Sequence, residues 1–171
     1  MLEIRLSRGF TLIELIVVFV IVCILTLLAL PSLLNFNQEQ NTTMTAQKLY
    51  YALQEARSEA VKSNQTIFVN FQTGVNWCYG MNANADCNCS VLNSCALTVV
   101  TAPTSQSTAM SSSGLTGNNS MNFEPTHGAA GRKGIVTFTA ATGVSSMSVE
   151  VPIMGSVLLC SSNISGYSAC P

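Results

Sequence analysis

The side chains that could do chemistry in this sequence are few and unevenly placed. Seven cysteines are the largest reactive set. Cys23 stands in an apolar run, Cys78, Cys87, Cys89 and Cys95 cluster in one stretch, and Cys160 and Cys170 lie near residue 171. Thiols grouped in this way form disulfides in an oxidising compartment or hold zinc in a reducing one. The four central cysteines lack the paired C-x-x-C spacing of common zinc sites. Disulfides are therefore the expectation, zinc the alternative, and Cys23 a small apolar filler. The six remaining thiols allow 15 pairings. Cys87 and Cys89, one residue apart, would be strained if bonded to each other.

Catalytic groups are sparse. The single histidine, His127, sits in a glycine-rich turn with Glu124 nearby, and no nucleophile motif accompanies it. No paired carboxylates, phosphate-binding loop or dinucleotide fingerprint are present, so neither catalysis nor a cofactor is expected. A local basic pair, Arg132 and Lys133, lies in the turn from Gly131 to Gly134. Two cations support at most a weak, salt-dependent contact with nucleic acid phosphates, and a solvated hairpin turn is the preferred reading.

The remaining chemistry is at the N-terminus. Arg5 and Arg8 precede a block from Phe10 to Leu34 whose one charged residue is Glu14. A bilayer core of about 30 Å needs roughly 20 apolar helical residues, so the block is long enough to span, and the two arginines would keep residues 1–9 cytoplasmic. Secretory signal peptides have a shorter apolar region of roughly 7 to 15 residues and a small-residue cleavage site. Neither fits. A carboxylate in such a helix costs about 2.5 to 3.5 kcal/mol on insertion scales, and a plain membrane anchor has no use for it. Only 9% of residues are charged against 48% hydrophobic, and the net charge is −1. Removing residues 1–9 takes away Arg5, Arg8 and Glu3, leaving five basic and seven acidic side chains, a net −2. No global basic field attracts nucleic acid.

The run Ser7-Arg8-Gly9-Phe10-Thr11-Leu12-Ile13-Glu14-Leu15, with Pro31 downstream, resembles the type III signal of type IV pilins and type II secretion pseudopilins. The resemblance implies that a prepilin peptidase cuts between Gly9 and Phe10 and methylates the Phe10 amine. It implies that Glu14 pairs with the Phe10 amine of a neighbouring subunit during assembly, and that Pro31 is a helix-kinking proline. The physics agrees: a glycine lets a protease approach the scissile backbone, and a new amine in an apolar environment needs a counter-charge. Pro31 removes a backbone donor and crowds the preceding turn, so it either bends the helix or ends it.

The elements that must carry these residues follow from pattern. Residues 35–63 read as an amphipathic helix, with Ala46, Leu49, Leu53, Ala56 and Ala60 three or four apart. Strands are expected over 66–71, 97–101, 135–139 and 147–151, and one more over 155–159. The stretch 101–119, rich in Ser and Thr, reads as a long flexible loop whose ligand, if any, the sequence leaves open. The fold class is α+β: a long N-terminal helix with its second half packed on antiparallel sheet. The expected division is 1–9 leader, 10–34 transmembrane and filament-core helix, 35–63 amphipathic helix, and 64–171 a periplasmic β-rich domain with disulfides.

Ala56-Arg57-Ser58-Glu59-Ala60 is similar to a stretch of one pilin subgroup, the FimU/FimT minor pilins and the H-type pseudopilins. Phe123-Glu124-Pro125 with Gly128 resembles that subgroup's F-x-P-x-G turn, with one extra residue before the glycine. The loop between Cys160 and Cys170 resembles the C-terminal disulfide loop of many pilins, which implies that these two pair and leaves Cys78, Cys87, Cys89 and Cys95 to pair among themselves. The resemblance implies a minor pilin of a pilus-priming tip complex, or alternatively an H-type pseudopilin of a type II secretion system. Its partners would be other minor and major pilins or pseudopilins, the prepilin peptidase, an inner-membrane assembly platform and membrane lipid. DNA-receptor pilins of the FimT kind carry Gly-Arg-x-Arg where this chain has Gly155-Ser156-Val157-Leu158, so DNA binding is disfavoured.

Overall fold

The computed structural model describes residues 10–103, 108–115 and 117–170, without the side chains of 28–32 and 34. The leader, with Gly9, lies outside the described residues. The chain divides into two compact units between Asn37 and Gln38, and helix α1 (Leu12–Ser63) contributes to both.

In the first unit, α1 starts on a side-chain cap. The Glu14 amide donates to the Thr11 hydroxyl at 3.3 Å and the Leu15 amide to the Thr11 carbonyl at 3.2 Å. Thr11 thus satisfies donors that a helix start leaves unpaired. The helix continues through Pro31, which overturns the alternative that Pro31 ends it. Among the described residues no helix is long and apolar enough to cross a membrane. The unbroken run of described side chains stops at Leu27, short of the roughly 20 residues that a span needs, so the span expected over 10–34 is not itself displayed.

In the second unit the helix has a buried face. Ala46, Leu49, Leu53, Ala56 and Ala60 are all buried, the stripe that the three- and four-residue spacing predicts. Thr42 and Thr45 are buried beside them, and their hydroxyls donate to the carbonyls of Gln38 (2.9 Å) and Asn41 (2.7 Å) within the helix. No polar atom is thereby left unpaired at either position. Asn64 takes a left-handed conformation with φ 52°, and the Gln65 amide closes back on the Ala60 carbonyl at 3.2 Å. This is how a helix commonly ends.

Two four-stranded antiparallel sheets complete this unit. The first comprises β1 (Ile67–Gln72), β2 (Cys78–Ala83), β3 (Thr98–Thr101) and β5 (Ser120–Phe123), ordered β3-β2-β1-β5. The second comprises β4 (Thr108–Ser113), β6 (Gly134–Ala140), β7 (Ser146–Val151) and β8 (Leu158–Cys160), ordered β4-β6-β7-β8. Val69 lies between Met81 and Met121, and Phe138 between Met110 and Met147. All six join the helix stripe in one core. Trp77 ties the sheets together: its indole N–H donates to the Thr108 carbonyl at 3.0 Å, and its ring meets Phe138 edge-on at 5.2 Å. Tyr79, stacked on Trp77, is buried, which pushes its hydroxyl up to about 12.

Four strands fall where the pattern expects them and the α+β class is observed; the last is shifted, with β8 starting only at Leu158 because Gly155, at φ +76°, closes a turn on the Pro152 carbonyl. The reading of 101–119 as a loop is corrected. Thr108–Ser113 is β4, fully paired with β6 from Thr108↔Ala140 to Ser113↔Ile135, while residues 104–107 and 116 lie outside the description. Strands β2 and β5 are likewise additions to the expected set.

Candidate assembly site

From Phe10 to Leu27 nearly every large apolar side chain is exposed, including Leu12 at 78%, Phe19 at 67% and Leu27 at 71%. The apolar positions surround the helix instead of forming one stripe. A helix of that kind requires an apolar environment on all sides. Glu14 interrupts it in the first turn, where the helix dipole favours a negative charge. Thr11 and Glu14 have the spacing of a capping box, a signal that was readable in the sequence and was missed there. Cys23 is a free thiol of intermediate exposure, with its carbonyl accepting from the Thr26 hydroxyl at 2.9 Å.

The second unit holds three disulfides: Cys78–Cys89, Cys87–Cys95 and Cys160–Cys170. The first two close a compact knot in which Cys78, Cys89 and Cys95 are buried. An added Cβ at Gly80 would collide with the Cys95 sulfur, so the knot lies directly on β2. All four thiols of the zinc alternative are taken up here. The third disulfide holds a C-terminal loop whose Ile164 is buried in the main core. Ser161 donates to the Ser146 carbonyl at 2.7 Å, and Gln47 of α1 donates to the Tyr167 hydroxyl at 3.1 Å.

The other residues singled out in the sequence are not brought together. His127 and Glu124 are both exposed, in a turn closed by the Gly128 amide on the Glu124 carbonyl at 2.9 Å. This turn absorbs the extra residue before Gly128, whose φ is +62°. Arg132 is exposed, but Lys133 pairs with Glu150 at 2.8 Å, and the Glu150 side chain is only 6% exposed. Lys133 therefore neutralises a buried carboxylate and is poorly placed as a free phosphate ligand. Sequence reasoning missed Glu150 because its partner is set by register: Ile135 faces Glu150 across β6 and β7, a pairing no local signal encodes.

The family model of the type II transport protein GspH matches residues 45–155. The chain belongs to the GspH family. The prokaryotic N-terminal methylation motif matches residues 4–30 of this GspH-family chain. The crystal structure of the type IV minor pilin FimU of Pseudomonas aeruginosa is similar to it, with a TM-score of 0.50 and 16% identity over 68% of this chain and 90% of that one. At that identity the likeness establishes the fold. No curated protein matches the chain. The family, the motif and the fold together make this GspH-family member a type IV pilin-like subunit of the minor pilin and H-type pseudopilin class.

Proposed function

We propose that the chain is a minor type IV pilin without catalytic activity. Prepilin peptidase cuts it between Gly9 and Phe10 and methylates Phe10, and it then enters a tip complex that primes pilus assembly. The observation that carries this reading is the fully apolar, exposed start of α1, interrupted by Glu14 alone among the residues described there. Lipid covers such a surface before assembly and neighbouring pilin helices cover it afterwards. The whole block from Phe10 to Leu34 is long enough for a single inner-membrane pass. The arginine-bearing leader sets its orientation, which places the disulfide-bearing unit in the oxidising periplasm. Glu14 supplies the counter-charge for the Phe10 amine of a neighbour, at a place where an unpaired cation would be costly. Pro31 supplies a local weak point in the helix ladder. The assembly platform and the major and minor pilins are the partners this implies.

The GspH family match supports a second reading, an H-type pseudopilin in the short piston of a type II secretion system. Deletion of the gene separates the two. The pilus reading expects loss of twitching with exoprotein release intact; loss of exoprotein release with normal twitching would replace it by the secretion reading.

A further inference from the structure

Arg57 is the charged member of the Ala56–Ala60 stretch whose head group has no partner among the described residues. Ala56 and Ala60 face the core, and Glu59 pairs with Lys62 at 3.6 Å. Arg57 makes no ion pair and no side-chain hydrogen bond among the described residues. Its position is nonetheless fixed. Gly128 lies so close that an added Cβ would sit 2.8 Å from Arg57 Cγ and 2.9 Å from Nε. The result is a half-buried arginine whose guanidinium donors are unoccupied among the described residues. It faces a cleft of about 770 Å3 whose walls include Lys62, His127, Ser156, Val61 and Val157 and no carboxylate.

We propose that this cleft binds an anion, and that its occupant is an acidic peptide segment of a neighbouring pilin subunit. A planar guanidinium held by packing matches a carboxylate with two parallel hydrogen bonds and loses little entropy on doing so. The Ser156 hydroxyl adds a donor, Lys62 contributes positive charge at the edge although it is already paired with Glu59, and Val61 and Val157 line the cleft with apolar surface for aliphatic side chains flanking the acid. Nucleic acid fits less well, because the processed chain carries a net charge of −2 and a few local cations give weak phosphate binding. The identity of the partner rests on the pilin reading, whereas the chemistry of the cleft does not.

The test is fluorescence polarisation on the detergent-solubilised full chain, with a labelled, capped peptide of alternating leucine and glutamate and its glutamine analogue. The glutamate peptide should bind at least about tenfold more tightly than the glutamine one, and R57Q should lose a similar factor, with R57K between. S156E, which places a competing carboxylate in the cleft, should abolish binding, and it carries the test if R57Q does not fold. An unchanged melting temperature checks the fold of each variant. Equal binding of the two peptides, binding unaffected by both R57Q and S156E, or a short DNA duplex that outcompetes the glutamate peptide would each overturn the proposal. A chain that binds peptide but never enters a filament would remove the assembly reading and leave the cleft. A chain that enters filaments but ignores the peptide would do the reverse.

Discussion

The two units of the chain dispose of apolar surface in opposite ways. From Gln38 onward, the helix stripe Ala46 to Ala60 is covered by both sheets, and residues such as Leu49, Val69, Phe123 and Phe138 reach zero exposure. From Phe10 to Leu27, equally apolar side chains stay exposed around the whole helix. The second unit closes its own core and fastens it with three disulfides. The first leaves its apolar surface open, and in the proposed function lipid or other subunits cover it. Under the proposed function that contrast divides the work: the second unit would determine which neighbours are met, and the first would supply the surface by which they are held.

Substitutions that separate the units sharpen the contrast. The largest effect is expected from Glu14→Ala. It should leave cleavage after Gly9 intact but reduce recovery in sheared filaments by roughly tenfold or more, since about 2.5 to 3.5 kcal/mol attaches to one uncompensated charge in an apolar helix. Immunoblots of membrane and filament fractions measure both steps, and normal incorporation would show that the first unit needs no counter-charge. Leu53→Ala acts on the second unit alone, with a loss of about 3 kcal/mol from the cavity it leaves, read by chemical denaturation. Replacing Cys160 and Cys170 together by serine should cost about 2 to 3 kcal/mol and free the C-terminal loop to proteolysis. If stability is unchanged, that loop is held by Ile164 and Ser161 without the crosslink.

Alkaline pH probes the same core. The Tyr79 hydroxyl is pushed from 10.0 to about 12 by burial, so the unfolded chain releases this proton first. Its contribution is full below pH 10 and declines as pH rises toward 12, by on the order of 2 kcal/mol. Tyr79→Phe should remove that part of the alkaline slope, and an identical slope in the variant would contradict the assignment. Lys133→Ala is expected to be the mildest, about 1 to 2 kcal/mol, because Glu150 is left buried without its partner while Lys133 itself is half-exposed.

What could be read in the sequence was what local pattern encodes. The helix stripe at Ala46, Leu49, Leu53, Ala56 and Ala60 and the strand β6, with its strict alternation of burial, carry their periodicity in the residues themselves. Strand β4 does not. Its sequence Thr-Ala-Met-Ser-Ser-Ser reads as a loop, yet Thr108 and Met110 turn inward because β6 supplies the pairing and Trp77 the contact. Strand β2 contains Gly80 and Asn82, weak strand formers on their own. It holds its place between β1 and β3, under a disulfide knot whose connectivity the spacing of Cys78, Cys87, Cys89 and Cys95 left open. The same limit applies to the functional residues. Glu14 is conspicuous because of its apolar neighbours, whereas the links from Lys133 to Glu150 and from Arg57 to Gly128 join distant segments and emerge only on folding.

The central claim, that the chain is a processed pilin held in a filament by its exposed apolar helix, is tested most directly by the N-terminal mass of the protein recovered from sheared filaments. The account predicts a chain that begins at Phe10 and carries one methyl group on its amine. Intact Met1 in filament material, or a first residue other than Phe10, would contradict it.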